Sequence, residues 1–157
     1  MKKFTIVSSI VFVLLFVVMV GYVGASKDFI NPVKQIDASD DDSDSKIWTM
    51  SIDEVAGELE KQGLIDTSTK QKLAEEGLCS IAVKYNGTEI YWWDLDNLKE
   101  NSDEYKAYKS LKEEGYIDIY GSGNIMSPTR NGPFAIWLDL YEGDSNALEK
   151  AFMELGK

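Results

Sequence analysis

The sequence predicts an α+β fold preceded by a membrane-targeting helix, and three observations lead to this prediction. An uncharged, strongly apolar run covers residues 4–26. Capped, amphipathic helical segments follow it, and Asn86-Gly87 separates two stretches that favour β-strands. We therefore divide the chain of 157 residues into a targeting segment at 1–26, a linker at 27–46 and a domain at 47–157.

The first segment has the properties of a transmembrane or signal helix. Lys2 and Lys3 precede an apolar run of 23 residues, which is close to the roughly 20 that cross a bilayer. Because positive charge is retained on the cytoplasmic side, we expect a single-pass cell-membrane protein whose C-terminal domain lies outside. Small residues at Val23 and Ala25 leave a second possibility open, namely cleavage near Ala25 and secretion.

The linker is rich in aspartate and should be an extended, disordered spacer. Asp40, Asp42 and Asp44 have the spacing that begins an EF-hand calcium loop. Serines at 45 and 51 stand where that loop needs a glycine and a bidentate glutamate, so we predict no metal site.

The composition excludes several classes of function. The chain has no histidine, which removes serine–histidine, cysteine–histidine and zinc–histidine chemistry, and no cofactor is predicted. All 27 acidic residues follow the apolar segment, together with only 14 of the 16 lysines and arginines. Nucleic acid is therefore a poor partner for the domain. Cys79 is the single cysteine, so no internal disulfide can form, and we expect a buried thiol.

Four helices are predicted in the domain, and each ends close to a glycine. Ser51 and Glu54 can form a capping box at the start of the first. The first two should form a helical hairpin. The predicted helices cover residues 52–62, 66–76, 102–115 and 145–156.

Strand patterns alternate with the last two helices. Residues 79–85 and 88–95 flank Asn86-Gly87 and predict a hairpin, while 116–120 and 134–141 suggest a second hairpin around a long loop. Asn86-Gly87 before Trp92-Trp93-Asp94-Leu95 also resembles Asn131-Gly132 before Trp137-Leu138-Asp139-Leu140, at an offset of 45 residues. The repeat predicts a ββα-ββα arrangement, that is, a four-stranded antiparallel sheet with helices packed on one face.

The outward side of this sheet is the candidate binding surface. Alternation along 134–141 directs Phe134, Ile136, Leu138 and Leu140 into the core. It directs Ala135, Trp137, Asp139 and Tyr141 outward. The repeat adds Trp92 and Asp94 to this surface, and strand 116–120 adds two tyrosines and an aspartate. Arg130, the single arginine, lies beside a turn and could bind a carboxylate or phosphate. The candidate binding residues are Trp137, Asp139, Trp92, Asp94, Tyr116, Asp118, Tyr120 and Arg130.

The conformation of the Asn86-Gly87 turn decides which aromatic residues are exposed. A two-residue turn pairs Ile81 with Trp92 and buries Trp92, whereas a three-residue loop with a bulge agrees with the repeat and exposes it. A further alternative is that helices also cover this face, which would make the aromatic residues ordinary core.

The expected function is a non-catalytic extracytoplasmic binding module that docks a basic protein partner, as an inhibitor or immunity-type protein would. A cell-envelope glycan-binding module is the alternative, because tryptophan and tyrosine stack on sugar rings. A small glycoside hydrolase is the third possibility, with Asp94, Asp118 and Asp139 as candidate carboxylates.

Overall fold

A computed structural model describes residues 45–74 and 77–157, with the backbone alone at Tyr120. The predicted targeting helix, nearly all of the linker and the calcium-like aspartate spacing lie outside these residues. In the part of the chain that is described, no helix is both long and apolar enough to cross a membrane.

The described residues form an α+β domain, as predicted. Helices are α1 (Ile52–Lys61), α2 (Asp103–Glu114) and α3 (Ser145–Glu154). Strands are β1 (Gln71–Lys72), β2 (Ile81–Tyr85), β3 (Thr88–Trp92), β4 (Ile117–Asp118), β5 (Ile125–Met126), β6 (Thr129–Asn131) and β7 (Phe134–Trp137). Short 3₁₀ turns cover Lys46–Thr49, Thr67–Thr69 and Ile119–Gly121.

The sheet has five antiparallel strands in the order β1-β2-β3-β7-β6, so the prediction of a four-stranded sheet in which 116–120 pairs with 134–141 is wrong. Strand β4 pairs with β5 in a separate two-stranded ribbon, and β7 pairs with β3 and β6. The tight β6–β7 turn at Gly132-Pro133 accounts for the difference. Closing a turn of two residues costs less conformational entropy than closing the predicted loop 121–133.

The helix ends confirm the capping signals. At the start of α1, Ser51 Oγ accepts a hydrogen bond from the Glu54 backbone at 3.2 Å, and the Glu54 carboxylate accepts one from the Ser51 backbone at 2.7 Å. At its end Gly63 has a φ of +71°, and the Leu64 N–H donates to the Leu59 carbonyl at 3.1 Å. This is a Schellman-type termination at the glycine close to which the helix was predicted to end.

The second predicted helix, at 66–76, is wrong, and with it the helical hairpin. The described part of this segment forms the 3₁₀ turn Thr67–Thr69 followed by β1. The Asp66 carboxylate caps Ser68, and Thr69 Oγ1 accepts a hydrogen bond from the Asn86 backbone at 2.9 Å. The bond to Asn86 joins the segment to the first hairpin. Such side-chain hydrogen bonds to the backbone compete with the backbone hydrogen bonds of a helix, and here they replace the predicted helix.

The first hairpin is confirmed and has a two-residue turn. Tyr85 pairs with Thr88, which leaves Asn86 and Gly87 as the turn, with φ values of +31° and +95°. Positive φ at both positions is typical of a type I′ turn. The second hairpin instead pairs Asn131 with Phe134, so its turn is shifted by one residue relative to the supposed repeat.

The sheet is covered on both faces, and the expectation of helices on one face is wrong. Helices α1 and α3 pack on the first face, where Val83, Ile90 and Ile136 are buried. Helix α2 and the β4–β5 ribbon pack on the second face, where Tyr91 and Trp93 are buried. Two apolar faces explain why large apolar side chains in 88–95 alternate between both sides of the strand, with Ile90 and Trp92 on one and Tyr91 and Trp93 on the other. Cys79 is a buried thiol, as predicted.

The domain has two distinct ends, joined by β3, β7 and α3. At the linker end, Lys46 N–H donates to the Gly156 carbonyl at 3.2 Å, and Ile47 lies against Gly132. At the turn end, the Asn86-Gly87 turn lies against Leu140. The linker end therefore comprises residues 45–50, 132–133 and 155–157. The turn end comprises residues 64–69, 86–87 and 138–144.

Candidate functional site

The two tryptophans of the predicted surface lie on opposite faces of the sheet. Trp92 pairs with Phe134 and Ile81 and packs, half-buried, against the first-face core. Trp137 pairs with Glu89 on the second face and packs, half-buried, against the other core. The prediction that one surface holds both tryptophans is wrong. Relative to the supposed repeat, the second turn lies one residue later in the chain than the first, and a shift of one residue moves a side chain to the other face of the sheet.

Asp94 lies beyond β3 towards the linker end and orders its own loop. Its backbone N–H donates to Ser80 Oγ at 2.9 Å, and its carboxylate accepts a hydrogen bond from Asn97 at 2.9 Å. The carboxylate of Asp94 is thus engaged within the loop that leads from β3 towards α2.

Three further candidates lie on or next to the β4–β5 ribbon. Asp118 is exposed and accepts a hydrogen bond from the Gly123 backbone at 2.9 Å. Tyr116 is half-buried, and its hydrogen bond with Glu114 raises the pKa of its hydroxyl. The side chain of Tyr120 is not among those described.

Arg130 has a structural environment. Its guanidinium donates to the Gly132 carbonyl at 3.0 Å and to the Tyr108 hydroxyl at 3.3 Å. It also lies over the Tyr108 ring, 5.8 Å from the centroid, at cation–π distance. These contacts join the β6–β7 turn to α2.

Trp137 and Asp139 remain as predicted residues next to each other, where β7 ends at the turn end. The Thr88 hydroxyl donates to the Trp137 carbonyl at 3.1 Å, and the chain then turns so that the Tyr141 N–H bonds the Leu138 carbonyl at 3.1 Å. Residues 138–144 form this segment, which we term the turn-end loop.

The loop reverses two predicted orientations. Leu140 was expected in the core but is 62% exposed, and Tyr141 was expected outward but packs against the first-face core. The alternation fails because β7 ends at Trp137, so a period of two no longer applies beyond it.

Close contacts hold the backbone of the loop. A Cβ atom on Gly87 would lie 2.0 Å from the Leu140 carbonyl oxygen, so only glycine fits there. The Tyr141 hydroxyl donates to the Leu64 carbonyl, and burial raises the pKa of that hydroxyl. The loop is therefore fixed to the hairpin turn on one side and to the end of α1 on the other.

The loop is acidic and carries no lysine or arginine. Asp139 and Glu142 are exposed on either side of Leu140. Asp144 caps α3 by accepting a hydrogen bond from the Ala147 backbone at 3.0 Å. The exposed part of the loop thus combines one leucine with three carboxylates, of which that of Asp144 caps α3.

A polar group that sequence reasoning missed lies beside Trp137 on the second face. The Glu89 carboxylate accepts a hydrogen bond from the Tyr91 hydroxyl and lies 3.5 Å from the Lys84 ammonium. Burial, and then the bond with Glu89, raise the pKa of Tyr91. Lys84 and Glu89 pair directly across the first hairpin, a signal that the two-residue register would have given.

The larger of the clefts found, about 820 Å³, lies elsewhere, near Cys79 and the start of α2. Lys72, Lys99 and Glu104 line it, and none of the predicted site residues does. Its described lining includes one carboxylate rather than a pair. Among the side chains that the structure describes, no group of three or more possible ligands could hold a metal ion.

Fold and surface together define a small α+β domain whose antiparallel sheet is covered on both faces and whose turn end presents an acidic loop. No protein-family model matches the chain, and no curated protein and no solved structure was found to be similar to it.

Proposed function

We propose that the protein is a non-catalytic binding module, held outside the cytoplasm by its N-terminal segment, which docks a basic protein partner through the turn-end loop. The observation that carries the proposal is Leu140, 62% exposed on a backbone held by Gly87 and Tyr141. An inhibitor or immunity-type role suits such a module.

The way the loop is held matters more than the exposure of one leucine. Single exposed apolar residues are common on protein surfaces. Ile125 on the β4–β5 ribbon is also 62% exposed, and it provides a natural comparison. What distinguishes Leu140 is a neighbouring glycine with no room for a Cβ and a neighbouring tyrosine whose hydroxyl is hydrogen-bonded to the Leu64 carbonyl. Fixing a loop in advance reduces the entropy lost when it binds.

Charge supports a basic partner. Asp139 and Glu142 flank Leu140, and the whole chain has a formal net charge of −11. Complementary charge accelerates encounter and selects partners more than it increases affinity. A partner with lysine and arginine around its binding site would meet these carboxylates.

The position of the loop also suits a tethered module. The linker joins the domain at Ser45, beside Gly156, whereas the loop lies at the other end of β7 and α3. Helix α3, with 10 residues, separates the two ends by about 15 Å. A partner at the turn end would therefore not contact the point where the linker joins.

The arrangement of carboxylates favours binding over catalysis. Asp94 lies towards the linker end, Asp118 on the ribbon and Asp139 at the turn end. A glycoside hydrolase needs two carboxylates about 5–10 Å apart across one bond. The separation of Trp92 and Trp137 onto two faces likewise removes the paired stacking surface on which the glycan-binding alternative depended.

Site-specific photo-crosslinking of the full-length protein in intact cells tests the proposal. A photoreactive residue replaces Leu140 in one version and Ile125, equally exposed, in the matched control. We expect a discrete adduct with a basic protein from position 140 and none from 125. Equal labelling from both positions, or an adduct with a second copy of this chain, would argue against the proposal.

The charge contribution is tested by neutralising the flanking carboxylates. Asp139→Asn with Glu142→Gln should reduce the adduct yield and weaken its dependence on salt. Asp96→Asn with Glu100→Gln, a pair that is also exposed, removes the same charge elsewhere. An equal loss from both pairs would mean that net charge, rather than this surface, attracts the partner.

A further inference from the structure

We propose that the turn-end loop binds by insertion, with Leu140 entering a concave apolar site on the partner whose rim carries basic groups. This inference rests on the proposed function and specifies the shape of the partner that the loop fits.

The loop provides a protrusion rather than a pocket. The chain turns between Leu138 and Tyr141, both of which pack against the first-face core, and Leu140 between them is 62% exposed. Clefts of about 820 and 370 Å³ in the described domain are lined by residues outside the loop. An apolar side chain on a convex turn loses its exposed surface most completely inside a concave site.

The backbone is held in the form that insertion requires. Gly87 contacts the Leu140 carbonyl from one side, and the Tyr141 hydroxyl bonds the Leu64 carbonyl from the other. A loop fixed in this way loses little conformational freedom on entering a pocket.

The flanking charges determine what surrounds the pocket. Asp139 and Glu142 are exposed next to Leu140, so they would reach the rim when the leucine is inserted. Charges at a rim keep part of their solvation and contribute chiefly to the rate of association. A pocket with an apolar floor and lysine or arginine at its rim matches this pattern.

A size series at position 140 tests insertion in the full-length protein in intact cells. The photoreactive residue is placed at Asn146, exposed in the first turn of α3, and Leu140 is changed to Met, Ala or Trp. Met conserves volume and should keep the adduct yield within about threefold. Ala leaves the pocket unfilled and Trp exceeds it, so each should reduce the yield about tenfold or more.

Ile125→Trp is the matched control and should leave the yield unchanged, and urea unfolding confirms that the position-140 variants remain folded. A yield with Trp equal to or above that of Leu140 would indicate a flat contact, which overturns insertion and leaves the proposed function standing. Loss of the adduct with Met would also overturn insertion. If no variant, including the unsubstituted protein, forms an adduct from either position 140 or 146, the proposed function itself fails.

Discussion

The two ends of the domain use the same packing device with opposite results. At the linker end, Gly132 and Gly156 leave no room for a Cβ beside Ile47, which is 2% exposed. At the turn end, Gly87 leaves no room beside the Leu140 backbone, yet the leucine is 62% exposed. A close contact with glycine thus accompanies a buried isoleucine at the linker end and an exposed leucine at the turn end.

The difference separates residues that hold the fold from residues that are available for binding. Ile47 belongs to the first-face core, whereas the side chain of Leu140 does not. The backbone of the turn-end loop is nevertheless as closely held as the linker end. We therefore expect substitution of Ile47 to reduce stability more than binding, and substitution of Leu140 to reduce binding more than stability.

The largest expected difference is between Ile47→Ala and Leu140→Ala. Truncating buried Ile47 should lower the free energy of unfolding by about 2–5 kcal/mol, because it leaves a cavity in the core. Truncating exposed Leu140 should change it by less than about 0.5 kcal/mol. Urea unfolding of a fragment containing residues 38–157 measures both. Similar losses from both variants would contradict the contrast between the ends.

Gly87→Ala sharpens the comparison, because it disturbs the loop without changing any loop residue. The control is Gly63→Ala, where φ is also positive, +71°, and no atom lies within 4 Å of the new Cβ. Gly63→Ala should cost about 1 kcal/mol from backbone strain alone. Gly87→Ala should cost about 1–3 kcal/mol more, because its Cβ meets the Leu140 carbonyl. Equal losses of stability from the two variants would show that the close contact between Gly87 and the Leu140 carbonyl does not constrain the loop.

High pH provides a third test, on the polar group beside Trp137. An unfolded tyrosine loses its proton near pH 10, whereas the raised pKa of Tyr91 keeps its proton in the folded state. The contribution of the protonated Tyr91 hydroxyl to the free energy of unfolding is therefore complete below about pH 10. It is lost as the pH rises above this value, by at most about 1.4 kcal/mol per pH unit.

Urea unfolding at pH 8, 9, 10 and 11 measures this effect, and Tyr91→Phe should give a shallower decline above pH 10. Identical slopes for the two proteins would mean that Tyr91 ionises equally easily in both states. The slope, rather than the absolute stability, is compared, because the variant also loses the hydrogen bond to Glu89.

The smallest effect is expected from Tyr141→Phe, which removes the hydrogen bond to the Leu64 carbonyl. The variant should lose about 0.5–1.5 kcal/mol. Backbone amides of residues 138–142 should exchange hydrogen faster, because one of the two attachments of the loop is gone. Unchanged exchange in these residues would show that the Gly87 contact alone holds the loop.

Local signals in the sequence predicted local structure well. Ser51, Ser102 and Gly115 mark helix ends where the structure has them, and Asn86-Gly87 forms the predicted hairpin turn. The helix predicted from Asp66 failed because Asn86, twenty residues away, provides a competing hydrogen-bond partner. That contact depends on the tertiary fold, which a local pattern does not contain.

The candidate surface was predicted only in part, and for a comparable reason. Asp139 was predicted to point outward and is exposed, but Leu140 was assigned to the core because alternation was extended past the end of β7. The turn-favouring Glu142-Gly143-Asp144 just beyond it indicates that the strand ends earlier. The close approach of Gly87 joins two distant segments, so no pattern within either segment predicts it.

The most direct test of the account measures stability and binding on one variant, Leu140→Ala. We predict a free energy of unfolding within about 0.5 kcal/mol of the unsubstituted protein, together with about a tenfold or greater loss of the adduct formed from position 146. A large loss of stability with an unchanged adduct yield would contradict the account, because it would make Leu140 part of the fold rather than of the binding surface.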